Sequence, residues 1–236
     1  MEIRPRTHYL AAILWIAAAA PLYPYPLQAE ESFSEANTLL FLSDHLHNVA
    51  PPATLHYDFR KTGSKKDDFT DSIDIQVTQP QAGGGRSVEM RYFSGDRERY
   101  VSPIDNARGN PVIMLFLQRD VREMQRQTQR GWRYFQKLIK FALEDAVAVR
   151  TVSIPYAGKT VQGQQIRIMP YTGLPEGSRA DGYRDKTYLF TLSEGVPGTV
   201  YELRTTLSGG AEERLIYAGD RAAPGQQLSR STQGSE

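Results

Sequence analysis

The sequence predicts an α+β protein with one large curved antiparallel β-sheet, like an unclosed barrel, an N-terminal helix and a central helical pair. Three observations lead to this prediction. Two stretches in which apolar and polar residues alternate flank a stretch with helical periodicity. The connections between the predicted strands are short and rich in glycine, which favours antiparallel hairpins. Strands and helices occur in separate blocks, an order typical of α+β proteins.

The first 29 residues have the three parts of a secretory signal peptide. Arg4 and Arg6 form a basic start, and the apolar segment 10–22 follows them. This segment of about 13 residues is shorter than the ~20 that a membrane-spanning helix needs, which favours a cleaved signal over a retained anchor. Cleavage after Ala29 is preferred, because Pro21 directly follows the alternative small-residue site. We therefore predict export to the periplasm.

The composition indicates a single domain that is stabilised by its core. The chain has no cysteine, which excludes disulfides, thiolate metal sites and a lipid attached through cysteine. Removing residues 1–29 takes away two arginines and one glutamate, so the rest is formally neutral and no nucleic-acid partner is expected. We predict a signal peptide at 1–29, one α+β domain at 30–219 and a disordered polar tail at 220–236.

The first predicted elements are a helix and a four-stranded meander. Ser32 or Ser34 can cap a helix that runs to about Asn48, and Pro51 with Pro52 ends it. The alternating pattern then predicts strands at 55–60, 73–78 and 88–93, and a short fourth strand around 98–101.

The central stretch changes to helical periodicity. Asn110 followed by Pro111 is typical of a helix start, because Asn can cap the helix and Pro lacks the donor that would be unpaired there. One helix is expected at 112–129 and a second at 132–146, with Gly131 between them. Five more strands are predicted at 149–153, 164–169, 186–192, 200–207 and 214–217.

A stripe of basic residues runs through the helical pair. Its members are three or four positions apart, the spacing of one helix face, and the stretch 111–141 carries a net charge of +5. The stripe predicts a surface for an acidic partner or for anionic lipid headgroups. A solvated helix face is the alternative, since Gly131 could divide the stripe into two unrelated halves. The stripe comprises Arg119, Arg122, Arg126, Arg130, Arg133, Lys137 and Lys140.

Large apolar side chains on the predicted strands are candidates for a ligand site. A sheet that does not close can form a concave apolar pocket when such side chains line it. An ordinary core is the alternative for each of them. The candidate ligand-binding residues are Tyr57, Phe59, Ile75, Val77, Met90, Tyr92, Tyr188 and Phe190.

The histidines do not form a convincing metal site. His45, His47 and His56 lie close in sequence, beside Asp44 and Asp58. Near the end of a helix, however, residues two apart point roughly 200° away from each other, so convergence on one ion is disfavoured. No hydrolase, zinc-protease or nucleotide-binding motif is present. We expect no enzymatic activity and no cofactor.

The order of elements resembles the periplasmic lipoprotein carriers and their relatives. The resemblance covers about 34–102 and 148–218, and it implies an unclosed barrel with helices over its opening and an apolar cavity for acyl chains. The helical pair at 111–147 is longer than this pattern implies. The residues that carry the resemblance are the helix 39–49 and the strands 55–59, 72–78 and 86–93.

These observations predict an exported binding or carrier protein for a lipophilic or acyl-bearing envelope molecule, with an anionic membrane surface as a further partner. Two other classes remain open. One is an envelope-assembly or scaffolding protein that binds another protein and holds no small ligand. The other is a hydrolase with an unrecognised site.

Overall fold

The main feature of the fold is one antiparallel sheet of nine strands. The structure is a computed structural model that describes residues 33–63, 67–80, 83–145 and 148–221. It confirms the predicted α+β class, with an N-terminal helix and a central helical pair beside a large sheet. The predicted signal peptide at 1–29 lies outside the described residues. The predicted tail at 220–236 also lies outside them, except for its first two residues, which belong to the last strand of the sheet.

Both predicted blocks of strands are present. The prediction of a strand around Glu98–Val101 is wrong: Gly95–Arg97 forms a 3₁₀ turn, and only Arg99 then makes a bridge, to Tyr92. The fourth strand forms after this turn. The strands are β1 (Ala53–Thr62), β2 (Phe69–Pro80), β3 (Arg86–Tyr92), β4 (Ile104–Ala107), β5 (Val149–Tyr156), β6 (Lys159–Ile168), β7 (Thr187–Leu192), β8 (Val200–Thr206) and β9 (Glu212–Arg221).

The first strand pairs with the last strand in the middle of the sheet. The order is β4-β3-β2-β1-β9-β8-β7-β6-β5, and the register places Tyr57 opposite Tyr217 and Phe59 opposite Leu215. This pairing joins two meanders into one sheet and leaves β4 and β5 as its edges. The helical segment between β4 and β5 therefore connects one edge of the sheet to the other.

Two helices, α2 (Val112–Thr128) and α3 (Trp132–Glu144), form the connection between the edges. They confirm the predicted pair, and Gln129 ends α2 in a left-handed conformation with φ 59°. The apolar stripes of both helices share one core with alternate residues of the strands. The largest buried side chains of this core include Tyr57, Phe59, Phe135, Tyr171, Tyr188 and Phe190.

The N-terminal helix is shorter than predicted. Helix α1 (Glu35–Asn37) continues as a π-helical turn, Thr38–Leu42. Ser34 caps α1 as expected, because its hydroxyl oxygen accepts a hydrogen bond from the backbone N–H three residues later at 3.1 Å. The predicted continuation to Asn48 is wrong, because the backbone is already extended at Ser43, with ψ 145°.

The segment after the π-helical turn bonds to two distant loops in place of a helical ladder. The N–H of Leu46 donates to the carbonyl of Arg108 at 3.0 Å. The side-chain amide of Asn48 donates to the carbonyl of Val196 and accepts from the N–H of Gly198, both at 2.9 Å. Long-range hydrogen bonds thus override the local helical pattern in this segment.

Asn110 is a buried junction between four parts of the chain. Its amide nitrogen donates to the hydroxyl of Tyr57 at 2.8 Å and to the carbonyl of Gly198 at 2.9 Å. Its amide oxygen accepts from the N–H of Val112 at 3.2 Å, which is the predicted helix cap. Its own N–H donates to Nδ1 of His45 at 3.0 Å. Because each buried polar group left unpaired costs about 1–3 kcal/mol, the junction fixes the start of α2 against β1.

A methyl group at Gly198 should destabilise the junction. A Cβ there would lie 2.5 Å from Cδ1 of Leu55 and 2.9 Å from the amide nitrogen of Asn110, and φ is 72°. Gly210 is the matched control, because its φ is 81° and no atom lies within 4 Å of its Cβ position. Both alanine variants carry the left-handed strain, so we expect Gly198→Ala to lose about 1–3 kcal/mol more free energy of unfolding than Gly210→Ala. Urea titration measures both values, and equal losses would contradict the steric argument.

The stability should also fall in weak acid because of His45. Its Nδ1 accepts from Asn110, so Nε2 carries the proton and donates to the carbonyl of Leu39 at 2.7 Å. Burial lowers the pKa of His45 below 6.5. The unfolded chain then binds the proton more readily, and the free energy of unfolding falls as the pH drops through the unfolded value.

The test compares urea unfolding of the wild type and His45→Gln between about pH 7.5 and pH 5. We expect a shallower pH dependence for the variant, whose side chain is uncharged throughout. Parallel curves would show that His45 is not the titrating group.

Candidate functional site

The predicted ligand-binding residues lie in the core. Met90 is half-buried and packs against this core, and the other seven are buried. Phe59 and Tyr92 also each border a cavity. Contact of the eight with a ligand stays a prediction, since in this structure they contact one another and the helices.

A buried polar network joins α2 to β7. Asp120, only 1% exposed, accepts hydrogen bonds from Nζ of Lys186 and from the hydroxyl of Tyr188. The hydroxyls of Tyr171 and Tyr188 lie 2.9 Å apart. Burial raises the pKa of both tyrosines well above 10, so both stay protonated. The network therefore anchors α2 to the sheet through satisfied polar contacts.

The basic stripe is divided between two surfaces. Arg119, Arg122 and Arg126 lie on α2 and border one cavity, whereas the three basic residues of α3 border another. Arg130 lies in the turn between the helices, with its guanidinium carbon 4.9 Å from the ring centroid of Tyr134. The sequence spacing thus continues across two helices that present their basic residues to different cavities. The α3 residues are Arg133, Lys137 and Lys140.

The first surface, which we call the helical groove, lies between α1, α2 and α3 and has a volume of about 540 Å³. Leu117, Val121, Ile139 and Leu143 are the apolar residues deepest in the core among those that line it. Arg133, Lys137 and Lys140 supply its positive charge, and among the described residues that line it there is no aspartate or glutamate. The groove thus combines an apolar interior with a purely cationic set of charges.

Exposed apolar side chains lie in the helical groove and on the elements that form it. Met114 and Phe41 line the groove and are 42% and 38% exposed. Leu42 and Phe141 belong to the same helical elements, and Phe33 lies just before α1. Five of the eight large exposed apolar side chains of the described residues therefore lie on or beside the helices, which makes this side of the molecule a candidate contact surface.

The second surface, which we call the arginine cavity, lies between α2 and the β2–β3 side of the sheet and has a volume of about 780 Å³. Phe69, Tyr92 and Phe93 contribute aromatic rings to its lining, and Tyr100 is 86% exposed beside them. Three carboxylates, those of Asp67, Asp68 and Glu123, also line it. Its basic side chains are Lys61, Arg97, Arg99, Arg119, Arg122 and Arg126.

Arg119 forms the inner wall of the arginine cavity. It pairs with the carboxylate of Glu213 on β9, and its guanidinium carbon lies 4.7 Å from the ring centroid of Phe59. Burial alone would lower the pKa of Arg119, but the Glu213 carboxylate raises it overall, so the group stays charged. Glu213 therefore neutralises the charge of Arg119, and positive charge for a ligand has to come from other residues of the cavity.

The histidines considered for a metal have separate roles. His45 belongs to the Asn110 junction, and Nε2 of His47 lies 3.1 Å from a carboxylate oxygen of Glu194. No group of three or more potential metal ligands is found in the part of the chain that the structure describes.

His56 lies between two carboxylates on the outer face of the sheet. Its Nδ1 is 2.5 Å from Asp74 and its Nε2 is 3.1 Å from Asp58. Burial raises the pKa of Asp74, but hydrogen bonds from His56 and Arg91 outweigh this and hold it below its usual value. The sequence did not indicate Asp74 as a partner, although the register that places it opposite His56 follows from pairing β1 with β2.

Comparison with known proteins gives little guidance. No protein-family model and no curated protein matches the chain. A crystal structure of a domain from Vibrio parahaemolyticus, named provisionally as an outer membrane lipoprotein-sorting protein domain, is similar with a TM-score of 0.24 and 10% identity. The match covers 73% of this chain and 86% of that one. None of the described helices is long and apolar enough to cross a bilayer. Function therefore has to be inferred from the surfaces of this chain.

The pair between Arg119 and Glu213 should contribute strongly to stability. Glu213→Gln keeps the shape but leaves a largely buried guanidinium without its counter-charge, so we expect a loss of about 2–3 kcal/mol in the free energy of unfolding. Glu144→Gln, which breaks the exposed pair with Lys140 at 3.4 Å, is the control, with an expected change below about 0.5 kcal/mol. Denaturant titration of both variants gives the comparison, and similar small losses would refute the assignment.

Proposed function

We propose that this chain binds an anionic acyl-bearing molecule of the cell envelope and carries it in the helical groove. The observation that supports this most directly is that the described lining of the groove combines an apolar interior with cationic side chains and contains no carboxylate. A volume of about 540 Å³ is within the range of small-molecule sites. The predicted signal peptide supports a periplasmic location for this binding.

The apolar part of the groove suits an acyl chain. Each methylene removed from water contributes about 0.8 kcal/mol, and the lining residues Leu117, Val121 and Ile139 offer purely hydrocarbon surface. Met114 adds a flexible side chain that can adapt to chains of different shape. A lipophilic molecule would also cover exposed apolar surface that water solvates poorly.

The charges of the groove suit an anionic headgroup. Arg133 lies over the ring of Trp132 with its guanidinium carbon 5.2 Å from the centroid, and Nζ of Lys137 is 5.2 Å from that of Phe141. Neither ring neutralises its cation. Lys140 has an exposed pair with Glu144, which contributes little and can exchange for a ligand anion.

We propose binding without catalysis. The absence of a recognised catalytic motif from the sequence supports this part of the proposal. A scaffolding protein that binds another protein at the same side is the second candidate, because Phe33, Leu42 and Phe141 are exposed apolar side chains outside the lining of the groove.

The test uses dodecyl phosphate and dodecylphosphocholine, which share a chain but differ in headgroup charge. We expect dodecyl phosphate, below its micelle concentration, to bind more tightly in calorimetry. Met114→Glu should weaken binding roughly tenfold or more, because it puts a charge among apolar groups and repels the phosphate. Met169→Glu is the control: Met169 is similarly exposed, at 38%, and lies outside the groove.

Lys137 should determine the headgroup preference. Lys137→Gln is expected to reduce affinity for dodecyl phosphate and leave that for dodecylphosphocholine nearly unchanged, whereas the exposed Lys159→Gln should change neither. Equal binding by the Met114 and Met169 variants would overturn the lipid proposal. A stable complex with a protein that blocks the groove, together with no binding of either amphiphile, would favour the scaffold.

A further inference from the structure

The arginine cavity is chemically distinct from the helical groove. Among the described residues, six basic and three acidic side chains line the cavity and give a net formal charge of +3, and aromatic rings contribute most of its apolar lining. The two sites lie on different sides of α2, and Gln118 lines both. A second ligand chemistry can therefore be examined independently of the acyl site.

Several charges of the cavity are already neutralised. Arg119 pairs with Glu213, and Arg126 pairs with Glu123. Nζ of Lys61 lies 3.9 Å from carboxylate oxygens of both acids. Lys61, Arg119 and Glu123 hold α2 near β1 and β9, and these contacts leave little of their charge for a ligand.

The guanidiniums of Arg99 and Arg122 are held in place by neutral groups. Arg99 donates through one terminal nitrogen to the carbonyls of Asp96 at 3.3 Å and Glu98 at 2.8 Å. The guanidinium carbon of Arg122 lies 4.7 Å from the ring centroid of Trp132. Within the described ranges neither has a carboxylate partner, so carbonyls and an indole ring orient them without cancelling their charge.

Other donors lie beside these two guanidiniums. Arg97 is held over Phe69 at 4.7 Å and pairs with Asp71 through Nε alone, at 3.3 Å. Burial raises the pKa of Tyr92, so its hydroxyl remains a hydrogen-bond donor. Gln118 can donate through its amide. The cavity thus provides three kinds of hydrogen-bond donor: arginine guanidiniums, the hydroxyl of Tyr92 and the side-chain amide of Gln118.

This set of donors fits phosphate. A guanidinium binds two phosphate oxygens through two parallel N–H donors in one plane, whereas a lysine ammonium acts as a point charge. Forks from several arginines therefore match an anion with many acceptor oxygens. A cavity of about 780 Å³ exceeds the size of one phosphate group. We propose that the arginine cavity is a binding site, separate from the acyl site, for an anion that carries two or more negative charges on phosphate groups.

The test measures binding of inorganic pyrophosphate by calorimetry to the full chain and to the double variant Arg99→Gln/Arg122→Gln. We expect a loss of affinity of roughly a hundredfold, since each of the two charged forks contributes about one order of magnitude. The control Arg150→Gln/Arg167→Gln removes the same charge from exposed positions on β5 and β6 and should leave affinity nearly unchanged. Thermal unfolding checks that both double variants are folded.

Vesicles of phosphatidic acid in phosphatidylcholine distinguish the two sources of phosphate. Pyrophosphate binding that depends on Arg99 and Arg122 supports a soluble phosphate ligand. Vesicle binding that depends on them, without pyrophosphate binding, supports a lipid headgroup. Equal effects of the two double variants, or no dependence in either assay, would overturn the site. Met114→Glu should leave pyrophosphate binding intact, so failure of the acyl site and failure of this site remain distinguishable.

Discussion

The pairing of β1 with β9 is the constraint on which the rest of the structure depends. It places the first and last strands at the centre of the sheet and leaves β4 and β5 at the edges. The only described connection between those edges is the helical pair, so α2 and α3 have to span the sheet. Asn110 then fixes where this span begins, because its buried amide bonds simultaneously to β1, to the β7–β8 loop and to the start of α2.

Packing of the helical pair decides where a ligand can bind. The apolar stripes of α2 and α3 meet the large aromatic residues of β1 and β7, and the buried Asp120 network ties α2 to β7. Side chains therefore occupy the space that an unclosed sheet could otherwise offer to an acyl chain. The helical groove lies between α2 and the other helices, and the arginine cavity lies between α2 and the β2–β3 side of the sheet.

The same division gives the two cavities different chemistry. On the α3 side, cations stand over aromatic rings beside aliphatic residues, which favours an amphiphile. On the meander side, arginines from α2 and from the β3–β4 connection line one cavity together with aromatic rings, which favours a multiply charged anion. A single basic stripe in the sequence thus contributes to two cavities. The turn at Gly131 divides the stripe between α2 and α3, and the basic residues of the two helices border different cavities.

The sequence by itself determined the fold class, the helical pair, the Asn110 cap and most strands, and it narrowed the first cap to Ser32 or Ser34. These features follow from local periodicity and local hydrogen bonding. It could not determine the β1–β9 pairing, the early end of α1 or the position of β4, since these depend on contacts between distant residues. The two cavities were equally inaccessible: Arg97, Arg99 and Glu213 join the basic residues of α2 only after folding. Periodicity specifies which face of an element is apolar, whereas tertiary packing decides what that face meets.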